Sequence, residues 1–249
     1  MKVRIVKSML WFIIGAAAVV GVARFWRGLG ATSALSDTTP WGFWIGFDVV
    51  CGVALAAGGF VIAATVYIFK KEDYHAIARP AVLTAFLGYI AVVGGLLFDL
   101  GLPWNIWRPV FHWQHHSALF EVAWCVMLYL TVLALEFSPV VLEKSPFHRL
   151  YKIAKALTLP LVIVGIMLST LHQSSLGTLF MIMPFRMHPL WYSSIQPLLF
   201  LVSAVALGLG MVCLEALLSS WLYDRKPELP ILRGLAKAAV WVLGLYFVI

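Results

Sequence analysis

The sequence predicts an all-α protein, a polytopic bundle of about seven transmembrane helices. Three observations carry this. Of 249 residues, 62% are hydrophobic and only 12% charged, and mean hydropathy is +0.94. A soluble domain carries roughly 25% charged residues, so this chain has too little polar surface for water. Apolar stretches of spanning length recur along the whole chain, each near the roughly 20 residues that lipid requires of a helix. Basic residues, finally, crowd into alternate connections.

In order, the spans fall near residues 8–23, 41–69, 80–98, 117–135, 154–171, 192–222 and 231–249, within a single integral membrane domain over 1–249. The first is short, yet no small-residue cleavage site follows it and Arg24 and Arg27 come directly after, which favours a retained helix over a signal peptide. The second and sixth are long enough to tilt. The last stops in the apolar run Trp241–Ile249 with no cap or flanking charge, so a longer natural chain is expected.

Fourteen of the eighteen Lys and Arg residues lie on the side of the amino terminus and the even-numbered connections, among them Lys2, Lys70, Arg79, Lys144, Lys155 and Arg225. Arg24, Arg27, Arg108 and Arg186 lie on the other side. Basic connections stay in the cytoplasm, so the amino terminus is expected inside an inner (cytoplasmic) membrane. The net charge of +7 is then a property of topology, and a nucleic-acid partner has no support. Cys51, Cys125 and Cys213 each fall within a span without ligand spacing, which argues against a zinc site or an iron–sulfur cluster in this chain. Gly52, Ala56 and Gly59, with Ala206, Gly208 and Gly210, permit close helix contact.

Ionisable groups at membrane depth are costly and carry the functional signal. Asp48 lies about 10 Å inside the outer end of the second span, at 1.5 Å per residue. Asp99 closes the third span, Glu121 lies one turn into the fourth and His172 closes the fifth, so four helices bring polar groups to the outer third of the membrane. Outer connections add Trp41, Trp44, Trp104, Trp107, His112, Trp113, His115 and His116. An interfacial aromatic belt explains most of these tryptophans. A flat aromatic cavity above carboxylates and imidazoles also suits a quinone, menaquinone or ubiquinone, with Asp48, Asp99, His172, Trp44 and Trp107 as its candidate contacts.

Toward the cytoplasm lie Glu136, at the inner end of the fourth span, and Glu215, within the apolar run of the sixth. Glu121 and Glu136 are about 22 Å apart along one helix. With Glu215 they are candidates for a proton path; a single interhelical hydrogen bond for each is the competing reading. The polar segment Thr170–Thr178 is expected to end the fifth helix and enter an interfacial loop. No histidine is expected centrally in a span, which disfavours a bis-histidine haem. A passive anchor and a secondary transporter remain alternatives, though the outer-biased cluster and the lack of an inverted repeat weigh against transport.

Several blocks together resemble the NrfD/PsrC membrane subunits, in particular their HybB-like branch. They are Trp41-Gly-Phe-Trp-Ile-Gly-Phe-Asp48 with Gly58-Gly59, Tyr74-His75 through Arg79-Pro80, Leu119-Phe-Glu121, Ala134-Leu-Glu136-Phe-Ser-Pro139, Leu171-His-Gln-Ser-Ser-Leu-Gly177 and His188-Pro-Leu-Trp191. The resemblance implies a helical subunit without haem or iron–sulfur cluster, not catalytic alone. Such a subunit exchanges electrons between quinone and a periplasmic iron–sulfur partner, of hydrogenase type in this branch, within a larger respiratory oxidoreductase complex. It also implies quinone near the periplasmic face, Glu121 as a proton-path residue, and further carboxyl-terminal helices in family chains.

Overall fold

Among the described residues, seven helices are long and apolar enough to cross a membrane, and together they define a multi-pass integral membrane protein. The computed structural model describes residues 1–36, 38, 46–182, 184 and 188–249, with Asp48 described by its backbone alone. The spanning helices are α1 (Lys2–Arg27), α2 (Gly52–Ala63), α3 (His75–Asp99), α4 (Ala118–Leu142), α6 (Thr158–Met181), α7 (Gln196–Leu222) and α8 (Leu229–Val248). Wider π-type turns, Gly46–Cys51 and Ala64–Ile68, extend α2 at both ends. A short helix, α5 (His148–Ala156), lies between α4 and α6.

Side-chain ties fix which ends share a face. The Lys2 ammonium donates to Asp224 at 2.6 Å, joining the amino terminus to the α7–α8 connection. Arg24 Nε donates to the Phe98 carbonyl at 2.7 Å, and its Nη2 to that of Leu100, joining the far end of α1 to the far end of α3. The last carbonyls of a helix have no intrahelical donor, so a buried cation here both closes α3 and complements its dipole. These ties define an amino-terminal face and an opposite face.

The core is a four-helix unit. Val53 and Ala56 of α2, Ala85 and Tyr89 of α3, Val126, Tyr129 and Leu133 of α4, and Leu176 and Leu179 of α6 form one buried cluster. α7 packs against α2, α6 and α8. Its contact with α2 needs glycine: a Cβ on Gly58 would stand 2.6 Å from the Gly208 carbonyl oxygen and 2.8 Å from Val212 Cγ2. The expected small-residue contacts therefore hold at Gly52, Gly59 and Gly208, whereas Gly210 meets nothing.

Local chemistry sets the helix ends. Ser117 caps α4 by accepting from the Phe120 amide at 3.3 Å, which satisfies one of the free first-turn donors. Pro139 cannot donate to the Leu135 carbonyl, and the Ser138 hydroxyl takes that acceptor at 2.6 Å. The helix thereby runs past the expected end at 135 to Leu142. α6 departs further from expectation. It continues through 170–178 to Met181 and does not end at Leu171. His172 is thus a mid-helix residue, 0% exposed, and the expectation that no histidine lies centrally in a span fails. Some polar side chains of this stretch find partners across the bundle, as Ser175 and His172 Nδ1 do, or on the helix itself, as Thr178 Oγ1 does on the Ser174 carbonyl at 3.1 Å.

Candidate functional site

α4 and α6 run antiparallel and meet along one face each. On α4 that face carries Glu121, Cys125, Tyr129 and Glu136, spaced four, four and seven residues, the repeat that keeps side chains on one side of a helix. On α6 it carries Gly165, Ser169, His172 and Ser175, in the reverse order. The Ser175 hydroxyl donates to Glu121 Oε1 at 2.6 Å. At the other end, a Cβ on Gly165 would lie 3.6 Å from the Tyr129 ring and 3.9 Å from Glu136 Oε2. The two rows therefore face each other from the opposite face to the amino-terminal third of the bundle.

α3 inserts Tyr89 between them. Its hydroxyl and His172 Nδ1 are 2.9 Å apart, and the tautomer of the ring decides which donates. The Tyr89 ring stands edge-on to Tyr129, centroids 4.6 Å apart. Tyr89, Tyr129, Ser169, His172 and Gln173 are all within 1% of complete burial. Among the described residues, His172 Nε2, Gln173 Nε2 and Glu136 Oε1 are buried without a hydrogen-bond partner, while Tyr129 Oη and Ser169 Oγ face each other without a well-formed bond to any other group. Leaving such a group unpaired costs about 1–3 kcal/mol. Proton-carrying types thus follow one another through the bundle, and their open hydrogen-bonding capacity suits a passing proton or a ligand with carbonyl oxygens.

Each end of the row opens differently. Glu121 is exposed on the opposite face. Glu136 lines a cavity of about 360 Å³ on the amino-terminal face, with Tyr67, His75, Arg79, Glu143 and Lys155 among its neighbours. A second cavity of about 500 Å³ lies between α2, α7 and α8, lined mainly by apolar and aromatic residues with Gln196 and Ser203 as polar exceptions.

The structure distributes the expected site residues unevenly. Glu121, Glu136 and His172 belong to one row. Glu136 lies six residues inside the end of α4, deeper than its expected interfacial place. His172 lies about 14 Å inside the end of α6, at 1.5 Å per residue, and not at the mouth. Asp99 is half-buried at the end of α3. Asp48 falls in the turn Gly46–Cys51, its side chain outside the described residues, as are Trp41 and Trp44. Trp107 is 49% exposed and packs beside Phe111 and His112, away from the row. Glu215 is half-buried on α7 and makes no hydrogen bond or ion pair among the described residues. Sequence reasoning missed Tyr89, Tyr129, Ser169, Gln173 and Ser175; the spacing of Tyr129 from Glu121 and Glu136 was the available signal. Among the described residues no group of three or more His, Cys, Asp or Glu side chains is placed to hold a metal ion.

Comparison with known proteins gives this geometry a context. The model of the family described as polysulphide reductase, NrfD, matches residues 32–249. A protein of Nitratidesulfovibrio vulgaris is 48% identical over 239 residues, covering 93% of this chain and 62% of its own length. A probable Ni/Fe-hydrogenase 2 b-type cytochrome subunit of Escherichia coli is 37% identical over 201 residues, 78% of this chain and 50% of its own length. The integral membrane subunit of a menaquinone reductase from N. vulgaris is 35% identical over 161 residues, 62% of this chain and 38% of its own length. The chain therefore spans less than two thirds of the length of these relatives. No solved structure matches it.

Proposed function

The chain belongs to the polysulphide reductase NrfD family, and on that premise we propose that it is the quinone-reactive membrane subunit of a respiratory oxidoreductase complex. Electrons pass between quinone and a periplasmic iron–sulfur subunit, which is joined to a catalytic subunit of hydrogenase type. The observation that carries this reading is the polar row from Glu121 through Ser175, His172, Tyr89, Tyr129 and Ser169 to Glu136, buried along its middle. The names of the relatives support it, one being a menaquinone reductase subunit and one a hydrogenase subunit.

In this reading the amino-terminal face is cytoplasmic, as its excess of Lys and Arg favours. Quinone takes up two protons with two electrons when reduced. Glu121, held by Ser175, exchanges protons with the headgroup near the opposite face, where Asp99 and the turn bearing Asp48 also lie. His172 and Tyr89 relay protons through their shared hydrogen bond, and Glu136 exchanges them with the cavity on the amino-terminal face. Trp44 and Trp107 would flank the ring, and Glu215 would serve a side branch.

Substituting Glu121→Gln in the intact complex tests the reading. Quinone-coupled turnover should fall by about 10²-fold, the usual weight of one general acid–base group. Unchanged turnover with unchanged proton translocation would remove Glu121 from the mechanism. The name of the E. coli relative includes a b-type cytochrome, but His172 is the one buried histidine of the seven and Tyr89 occupies its Nδ1. Two facing imidazoles are not at hand, so we infer that this chain holds no haem. A haem absorption band in the purified chain would refute that inference.

A further inference from the structure

Helix α5, His148-Arg-Leu-Tyr-Lys-Ile-Ala-Lys-Ala156, separates its chemistry cleanly. Arg149, Lys152 and Lys155 follow one another along a stripe at a spacing of three residues, and Leu150 and Ile153 form the side next to it. The apolar side is uncovered: Leu150 is 52% exposed and Ile153 56%. α5 packs mainly on α4, between the ends of two spanning helices, so its apolar side meets the hydrocarbon boundary and its basic side the headgroup layer.

The 360 Å³ cavity opens beside it. Lys155 and Tyr151 of α5 form one wall, and His75 and Arg79 of α3 stand across from them. Lys155 Nζ lies 5.9 Å from the Tyr151 ring centroid. Arg79 Nη1 approaches Glu143 Oε2 at 3.6 Å while its side chain stays 64% exposed, which leaves donors of the guanidinium free for an anion. Glu143 and, deeper, Glu136 are the carboxylates of this cavity. Lys144, Arg149 and Lys152 add positive charge in the same connection.

We propose that α5 and this cavity form a binding site for an anionic phospholipid of the leaflet on the amino-terminal face. The phosphate sits between Arg79 and Lys155, and the acyl chains cover Leu150 and Ile153. Charge and apolar surface meet at one depth here, and a phospholipid supplies both. A soluble acidic segment would neutralise the cations and leave the apolar side bare. Basic pockets between spanning helices bind anionic headgroups in this manner. The proposal needs no particular reaction at the quinone, and its test does not measure turnover.

The purified chain, delipidated in neutral detergent, is titrated with phosphatidylglycerol or with phosphatidylcholine of the same acyl chains, and bound lipid is counted by native mass spectrometry. Phosphatidylglycerol should be retained and phosphatidylcholine lost. The double variant K152Q/K155Q should weaken retention about 25-fold, roughly fivefold for each exposed cation, as expected near an anionic surface. K152R/K155R should restore it, and Arg79→Gln should weaken it separately. Equal binding of the two lipids, or full retention by both Gln variants, overturns the proposal. So does displacement of phosphatidylglycerol by an oligo-glutamate peptide, which would identify an acidic protein as the occupant.

Discussion

Removing one oxygen from the centre of the bundle would separate a packing role of the polar row from the proton-carrying role proposed for it. Tyr89→Phe keeps the ring, and with it the edge-on contact to Tyr129 at 4.6 Å. It deletes the hydroxyl that shares a hydrogen bond of 2.9 Å with His172. An average interhelical hydrogen bond in a membrane contributes about 0.6 kcal/mol, whereas a fully buried polar group left unpaired costs about 1–3 kcal/mol. His172 is 0% exposed and its Nε2 already lacks a protein partner, so the larger figure governs. Tyr89→Phe should lower stability by about 1–3 kcal/mol in a reversible unfolding assay in bicelles. His172→Phe combined with it should cost less than the sum of the two single changes, because the orphaned nitrogen is gone. In the intact complex, the same hydroxyl deletion should slow quinone-coupled proton uptake more than electron entry from the partner. Stability and proton uptake both equal to wild type would refute the relay through Tyr89 and His172.

Other regions give independent tests. Gly58→Ala forces α2 and α7 apart, since its Cβ would stand 2.6 Å from the Gly208 carbonyl; overpacking should cost about 1–3 kcal/mol by unfolding, and an unchanged midpoint would show that the two helices do not meet. Glu136→Gln should abolish proton exchange with the amino-terminal cavity while leaving the fold intact, measured as the pH change on that side of proteoliposomes; undiminished exchange would end its role. Ser203→Phe partly fills the cavity between α2, α7 and α8 and should change quinone turnover by less than about twofold; a loss of tenfold or more would move the quinone site there. Asp224 has its carboxyl held below the ordinary range, first by the hydrogen bond from Lys2 and then by the charge of that ammonium. A depressed carboxyl pKa contributes attachment above the free value and loses it as pH falls through the bound one. Docking of α1 should therefore be constant near neutrality and weaken only below pH about 3.8, read from the fluorescence of Trp221, over whose ring Lys2 sits at 5.3 Å. A transition near pH 6 would contradict that pairing.

The helices were legible because lipid imposes length and hydropathy rules that act on sequence directly. Glu121 and Glu136 were legible for the same reason, each a carboxylate in an apolar run. What hydropathy could not show is partnership. Gln173, Ser174 and Ser175 lower the local hydropathy and suggest a helix end, but a polar side chain facing another helix costs far less than one facing lipid. Tyr89 and Tyr129 register as aromatic residues of ordinary spans until α3 and α4 bring their rings together. Arg24 looks like a flanking charge, and its burial depends on the free carbonyls at the end of α3, 74 and 76 residues away. α5 escaped because nine residues are too few for a span, and its alternation of basic and apolar residues is periodic only once wound as a helix.

The energetics of the row bear on its purpose. Burial is concentrated in α2, 56% of whose spanning window lies inside the bundle, against 6% for α1 and 11% for α8. The four-helix unit is thus where stability is made, and a bundle selected for packing alone would fill it with Leu, Ala and Val. Instead, among the described residues, it holds His172 Nε2, Gln173 Nε2 and Glu136 Oε1 without a partner, each costing about 1–3 kcal/mol if nothing reaches it, beside a poorly aligned Tyr129–Ser169 contact. The two hydrogen bonds that cross the row, Ser175 to Glu121 and Tyr89 with His172, return about 0.6 kcal/mol apiece on average and at most about 1.7. The deficit falls on the most buried part of the protein, where apolar replacements of similar volume were available at every position. Fold stability therefore cannot be the reason these groups are there. On the proposed reading, those groups of the row that can carry a proton, Tyr129, Ser169, His172 and Glu136, would be retained for transfer from one side of the bundle to the other.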